Sequence, residues 1–235
     1  MKQVIRRYID SFIDMIYPRK CAVCGCRLAL EEQLVCTHCF FKMPRTFLAN
    51  NPHDNLLTDN IATAVPFNRC VAFTWHTHGS SFGHLVYQLK YYDKPEIGRW
   101  MGQLMAEELN ESHFFDGIDV IIPLPISKKR QQWRGYNQSE EIAKGITTVI
   151  PLPICTQAVV RNSFHKSQTQ NSRQERIENV KDAFTLIHPA LIHGKHVLLI
   201  DDIITTGSTI SSCANELVKA GNVTVSVLTW GAAQS

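Results

Sequence analysis

Residues 197–209 read Val-Leu-Leu-Ile-Asp-Asp-Ile-Ile-Thr-Thr-Gly-Ser-Thr. The apolar, β-branched run predicts a buried strand, the acidic pair Asp201-Asp202 closes it, and a hydroxyl-rich turn around Gly207 leads into a helix. Those three parts suit a sugar phosphate. Backbone N–H groups converge on a phosphate at a helix N-terminus, Thr205, Thr206, Ser208 and Thr209 add hydroxyl donors, and Gly207 lets the backbone come close. Asp201 and Asp202 can accept hydrogen bonds from vicinal ribose hydroxyls, each charge-assisted bond contributing about 1.5–3 kcal/mol. One alternative is an ordinary strand–loop–helix turn, with acidic groups solvating the strand end and hydroxyls capping the helix. Another is a nucleotide hydrolase holding magnesium on the acidic pair, which is weakened because no Gly-x-x-x-x-Gly-Lys-Ser/Thr loop occurs in the chain.

A second chemical cluster lies near the front. Five of the eight cysteines fall between positions 21 and 39, and four of them form Cys21-x-x-Cys24, eleven residues, Cys36-x-x-Cys39. Two such knuckles supply four thiolates for tetrahedral coordination, the arrangement structural zinc prefers. Cys26 and His38 lie inside the cluster and can stand in for a ligand. With little apolar material to form a core over residues 18–45, zinc would supply the folding energy of that stretch. Cys70, Cys155 and Cys213 are isolated and read as small buried apolar residues.

The third cluster is basic. Residues 121–130, Ile-Ile-Pro-Leu-Pro-Ile-Ser-Lys-Lys-Arg, predict a strand and then a proline-stiffened loop carrying Lys128, Lys129 and Arg130. A rigid turn with cations suits a pyrophosphate. Trp133-Arg134-Gly135-Tyr136-Asn137-Gln138 follows, so the same cations, interleaved with Trp133 and Tyr136, also suit single-stranded DNA. Both uses stand at this point. Arg161 to Phe184, with His165, Gln168, Gln170, Arg173, Arg176 and Asn179, is too polar for core and too patterned for disorder.

The positioning elements follow from periodicity. Strands are expected near 70–75, 118–122, 196–201 and 223–230, and helices near 80–91, 96–110, 137–148 and 207–220. Alternating strands and helices imply an α/β fold with a doubly wound, mainly parallel sheet whose sites lie beyond the carboxyl ends of its strands. Residues 44–68 show no sustained period and read as a connection, so the expected division is 1–50, an amphipathic helix over 4–16 plus the cysteine module, and 60–235, the sheet domain. The 235 residues, 44% hydrophobic and 19% charged with net charge +3, fit that plan and exclude a chain dominated by charge. No apolar stretch reaches the roughly 18 residues of a membrane span, and the front lacks an export signal's apolar centre, so the expectation is a cytoplasmic protein.

The 197–209 run resembles the phosphoribosyl-pyrophosphate (PRPP) signature of type I phosphoribosyltransferases. Together with the paired Cys-x-x-Cys knuckles, Leu89-Lys90-Tyr91, Pro123-Leu124-Pro125, Arg134-Gly135-Tyr136-Asn137-Gln138, Arg176-x-x-Asn179-Val180 and Ala183-Phe184, it is similar over nearly the whole chain to the ComF/ComFC competence family, also described as GntX-like. The resemblance implies a type I phosphoribosyltransferase fold behind a zinc module, PRPP with magnesium as ligand, and a role in uptake of single-stranded DNA beside a helicase-like ATPase. By that match Asp201 and Asp202 hold the ribose 2′- and 3′-hydroxyls, and Thr205 to Thr209 the 5′-phosphate. Cys26, His165 and Asn222 depart from the family's usual pattern, and only Cys26 touches a functional assignment. Two functions remain: a transferase with an unknown acceptor and no nameable general base, or a PRPP-binding module in DNA uptake. An amidotransferase role meets an obstacle, because that class's glutaminase needs an N-terminal cysteine and this chain begins Met1-Lys2.

Overall fold

The computed structural model describes residues 18–61, 66–162 and 183–233. The amphipathic helix expected over 4–16 and the polar stretch 163–182 lie outside the described residues. Four strands, β1 (Cys70–His76), β2 (Val120–Pro123), β5 (His196–Ile204) and β6 (Thr224–Ala233), form one sheet in the order β1-β6-β5-β2, every pair parallel. A separate antiparallel pair joins β3 (Val159–Arg161) to β4 (Phe184–Leu186).

Near-continuous apolar strands are what burial on both faces demands. Alternate side chains feed two cores: Leu198 and Ile200 of β5 face one, Val197 and Leu199 the other. Helices α3 (Gly83–Tyr91), α4 (Pro95–Asn110) and α6 (Gln138–Ile146) cover the first face, and α2 (Leu56–Ile61) and α7 (Ser208–Leu217) the second. This is the doubly wound parallel architecture the element order implied.

Where α4 crosses α6 the backbones touch. A Cβ at Gly102 would sit 1.9 Å from the Ile142 carbonyl oxygen, and one at Gly145 would sit 2.0 Å from that of Arg99. These two glycines let α6 lie close on α4, and the N-terminus of α6 then meets the end of β5, where Ser139 donates to Asp201.

Several expectations shift. Strand β5 runs to Ile204, three residues past Asp201, because β6 continues beside it and pairs Asp201 with Thr229, Ile203 with Gly231 and Ile204 with Ala232. The acidic pair therefore lies within the strand's last turns of pleat. The cations Lys128, Lys129 and Arg130 are not on a loop but on the first turn of a helix, α5 (Lys128–Arg134), capped by Ser127, whose hydroxyl accepts from the Arg130 N–H. A serine cap followed by Lys, Lys, Arg, Gln and Gln favours that helix on propensity alone. Residues 44–68 hold α2, where Asn55 accepts from the Leu57 N–H and buries Leu57 and Ile61 one turn apart.

The cysteine-bearing stretch is also better provided with apolar contacts than its composition suggested. Val23, Leu28, Val35 and Met43, buried together with Cys21, Cys36 and Cys39, belong to the same core as Leu85, Met101 and Ile142. Its one short helix is α1 (Thr37–Phe41). Gln88 donates to the Ala22 carbonyl at 2.8 Å, and Arg45 forms a two-pronged pair with Glu108 of α4 while lying over Phe40 and Phe73. Packing against the main core thus anchors this stretch.

Candidate functional site

The end of β5 gathers charge. Asp202 is buried and pairs with Lys90 of α3, Nζ to Oδ1 2.9 Å. Asp201 accepts from the Ser139 hydroxyl at 3.1 Å and from the Asp202 N–H at 2.8 Å. Burial pushes the Asp201 carboxyl up to about 7, and the neighbouring Asp202 charge adds to the rise, against smaller opposing pulls from the Asp202 N–H, Lys90 and Ser139. A carboxylate held this way prefers a proton until something positive or hydrogen-donating arrives. Arg161, half-buried at the end of β3, is close enough to feel both Asp201 and Arg130.

Beyond the carboxylates the chain turns at Gly207, whose φ of 71° lies in the left-handed region and which is the N-cap of α7. Glycine is required there twice over, since a Cβ would also come within 2.7 Å of Ile61 Cγ1. Thr205, Thr206 and Ser208 are exposed, Thr209 half-exposed, and the Thr206 and Ser208 hydroxyls lie 2.9 Å apart. The Ser208 N–H reaches the Thr206 hydroxyl at 3.4 Å, and the Gly207 cap offers no side chain to the N–H groups that follow, so the start of this ten-residue helix, ringed by hydroxyls, can receive an anion.

Strand β2 neighbours β5, so the residues after Pro123 border the same site. Lys128, Lys129 and Arg130 stand exposed there, and among the described residues none is paired with Asp201 or Asp202. Arg134, at the other end of α5, donates to Gln138 at 2.8 Å, while its own Nε and Gln138 Nε2 are buried with no acceptor. Next to Lys90 a cavity of about 700 Å³ opens among His76, His84, Tyr87 and Tyr91. His76 is pushed below its ordinary value by burial, then by Lys90 and His78.

Residue types and spacing alone assign no role to Lys90, Ser139 or Arg161. Lys90 did carry a signal, as the centre of Leu89-Lys90-Tyr91, a cation one residue past a buried leucine on an amphipathic helix.

In the cysteine cluster, the sulfurs of Cys21, Cys24, Cys26 and Cys36 all lie within 4.8 Å of one another. Thiolates at about 2.3 Å from a tetrahedral metal are about 3.8 Å apart, and Cys24 Sγ to Cys36 Sγ is 3.8 Å. The donor set therefore fits zinc. Cys26 is 3.2 Å from Cys24, while Cys39, buried, lies against the sulfurs of Cys24, Cys36 and Cys21. Five thiols compete for four places, with Cys26 and Cys39 the contenders for the last. Hydrogen bonding with the Cys26 backbone and sulfur lowers the Cys24 thiol to about 6, whereas Cys26 itself is raised to about 12 by its sulfur neighbours. All eight cysteines are thiols, and Cys70 and Cys213 are buried as their isolation suggested, whereas Cys155 is half-exposed.

The molecule is thus a parallel α/β protein with a clustered-cysteine site at its front that can hold a metal ion. Its sequence is similar to those of DNA utilization protein YhgH and of the competence proteins F and ComFC. YhgH of Shigella flexneri is 28% identical over 221 residues, 89% of this chain and 95% of the relative. Competence protein F of Haemophilus influenzae is 29% identical over 64% of this chain and 67% of the relative, and ComFC of Bacillus subtilis is 29% identical over 43% and 39%. No family model matches. Among solved structures, an allosteric regulatory enzyme of purine biosynthesis is 20% identical with a TM-score of 0.40, covering 60% of this chain and 29% of that one. The glutamine PRPP amidotransferase of B. subtilis gives 20% and 0.41, over 60% of this chain and 30% of that one. No helix among the described residues is long and apolar enough to cross a membrane.

Proposed function

We propose that the protein binds PRPP with magnesium at the end of β5 and serves in the uptake and use of DNA in the cytoplasm, in contact with single-stranded DNA and a helicase-like ATPase. The observation that carries the ligand is the order of parts along one strand–turn–helix. The carboxylates come first, Asp202 buried and Asp201 half-buried, then the left-handed Gly207 turn with its hydroxyls, then the start of α7. Asp201 and Asp202 would accept from the ribose hydroxyls, Thr205, Thr206, Gly207, Ser208 and Thr209 would enclose the 5′-phosphate, and Lys128, Lys129, Arg130 and Arg134 would face the pyrophosphate. Magnesium, bound with the ligand, would offset pyrophosphate charge. The biological role is supported by the names of the relatives, DNA utilization and competence.

The proposal on zinc is structural: four of Cys21, Cys24, Cys26, Cys36 and Cys39 leave no open coordination position. Calorimetry with Mg-PRPP tests the ligand. The parent protein should bind, and the Asp201→Asn, Asp202→Asn double variant should lose about tenfold or more, from the loss of charged acceptors. Equal affinity of parent and variant would refute the ribose assignment. Pyrophosphate release, with and without added acceptors, then separates a transferase from a binding module.

A further inference from the structure

An exposed row of aromatic rings runs along one side of the candidate site. Tyr87 and Tyr91 stand one turn apart on α3 with ring centroids 4.7 Å apart. His84 stacks on Tyr87 at 6.0 Å with planes 18° apart, Tyr92 lies 5.7 Å from Tyr87, and Trp133 of α5 lies 5.9 Å from Tyr91. None of the large rings is packed away: Tyr87 is 49%, Tyr91 50%, Tyr92 57% and Trp133 66% exposed. Single exposed aromatics are ordinary on a protein surface. A contiguous row assembled from two separate helices is not, and it marks an interaction surface.

The polar groups beside the row indicate what it meets. The Arg134 guanidinium carbon is 5.6 Å from the Tyr91 ring centre and 5.9 Å from that of Trp133. Its Nε and the Gln138 Nε2 are buried donors with no acceptor, a costly state unless a ligand supplies one. A cavity of about 330 Å³ opens there among Lys90, Tyr91, Trp133 and Arg134. The exposed Lys128, Lys129 and Arg130 continue the positive charge along α5. Flat faces in a row, cations along the flank and unfilled donors together match unpaired bases on a phosphate backbone.

We propose that Tyr87, Tyr91 and Trp133 form a stacking track for single-stranded nucleic acid, with its phosphates on the α5 cations and a base edge or phosphate oxygen on Arg134 and Gln138. The proposal rests on the DNA reading above; it shares the α5 cations with the pyrophosphate assignment, while Tyr87, Tyr91 and Trp133 lie outside that assignment. Double-stranded nucleic acid does not fit, because its base faces are already stacked. A polypeptide partner would leave the cation row uncompensated unless it were strongly acidic.

Fluorescence anisotropy of a labelled oligo-dT of about 20 nucleotides tests the track. Tyr87→Ala and Trp133→Ala, both at exposed side chains outside the PRPP-binding set, should each weaken binding by about 5- to 150-fold, with Mg-PRPP calorimetry unchanged. Trp133 is the exposed one of the chain's four tryptophans, so oligo-dT should quench the parent's emission and the quench should vanish in Trp133→Phe, whose ring still stacks. Parent-like affinity in both alanine variants, or equal affinity for a duplex of the same length, overturns the track and leaves the DNA reading standing. No oligo-dT binding by the parent overturns both, without touching PRPP.

Discussion

Replacing Asp201 by Asn should stabilise the ligand-free protein at alkaline pH while weakening its grip on PRPP. Both hydrogen bonds to Asp201 arrive at Oδ1, from the Ser139 hydroxyl and the Asp202 N–H, and an asparagine oxygen can accept both. What the substitution removes is a buried charge. Burial raises the carboxyl from 3.8 to about 7, so between those limits the folded state holds more protons than the unfolded one. Stability therefore falls as pH rises through that window and is lowest above it. At about 1.36 kcal/mol per pH unit the ceiling on the loss is about 4 kcal/mol, and coupling to Asp202 and Lys90 brings the expected gain in the variant to about 1–4 kcal/mol. For a chain of this length that is roughly 2–16 °C in Tm at pH 8, with little difference from the parent near pH 4. The assay is thermal unfolding from pH 4 to 8 in the absence of ligand, beside calorimetry at pH 8. In the parent, Mg-PRPP affinity should rise with pH up to about 7, since ribose hydroxyls donate to the ionised form, and in the variant it should be low and flat. An Asn variant less stable than the parent at pH 8, with the parent's pH slope intact, would refute the buried-charge reasoning.

The purified protein should carry one zinc per chain. Removing the true fourth ligand, by Cys26→Ser or Cys39→Ser in turn, should release it while the other variant keeps it, as metal analysis of reduced protein would show. Chelation should loosen the loops that carry the cysteines while the rest of that stretch and the sheet stay folded, read by amide exchange, because Val23, Leu28, Val35 and Met43 hold it to the main core without metal. Gly207→Val should abolish Mg-PRPP binding and also lower Tm, since any Cβ there meets Ile61 and a β-branched residue resists the left-handed backbone. A Gly207→Val protein as stable as the parent would show that Ile61 yields freely. Lys90→Met should leave Asp202 buried without its cation and cost about 3–5 kcal/mol at pH 7, measured by urea unfolding.

What was legible in the sequence is local chemistry. The β-branched run into Asp201 and Asp202, the glycine turn and the Cys-x-x-Cys spacing each lie within a few residues of chain, where one strand, one turn or one knuckle fixes the geometry. The elements came out within a few residues for the same reason. The failures are at longer range. The Lys90–Asp202 and Ser139–Asp201 contacts join residues from separate helices to one strand, and no period or motif encodes such a partner. The length of β5 depended on how far β6 accompanies it, and the tight α4–α6 crossing depended on Gly102 and Gly145 meeting opposite backbones. Helix α5 was missed for a different reason: two prolines upstream suggested a rigid loop, although the last precedes the Ser127 cap by two residues and leaves every donor of the helix intact.

The geometry at β5 also explains why the site lies at an interior strand. An acidic pair on an edge strand would be solvated and would keep ordinary carboxylate behaviour. Between β2 and β6 it is walled by neighbouring strands, so its charge is costly unless a cation or a set of hydroxyl donors completes it. Lys90 completes Asp202 within the protein. Asp201, with only neutral donors, is the member that the proposed ligand would complete, and its raised affinity for a proton reflects the missing partner. On the proposed reading the desolvation of this carboxylate is met during folding, so ribose hydroxyls would find an acceptor with little water left to displace.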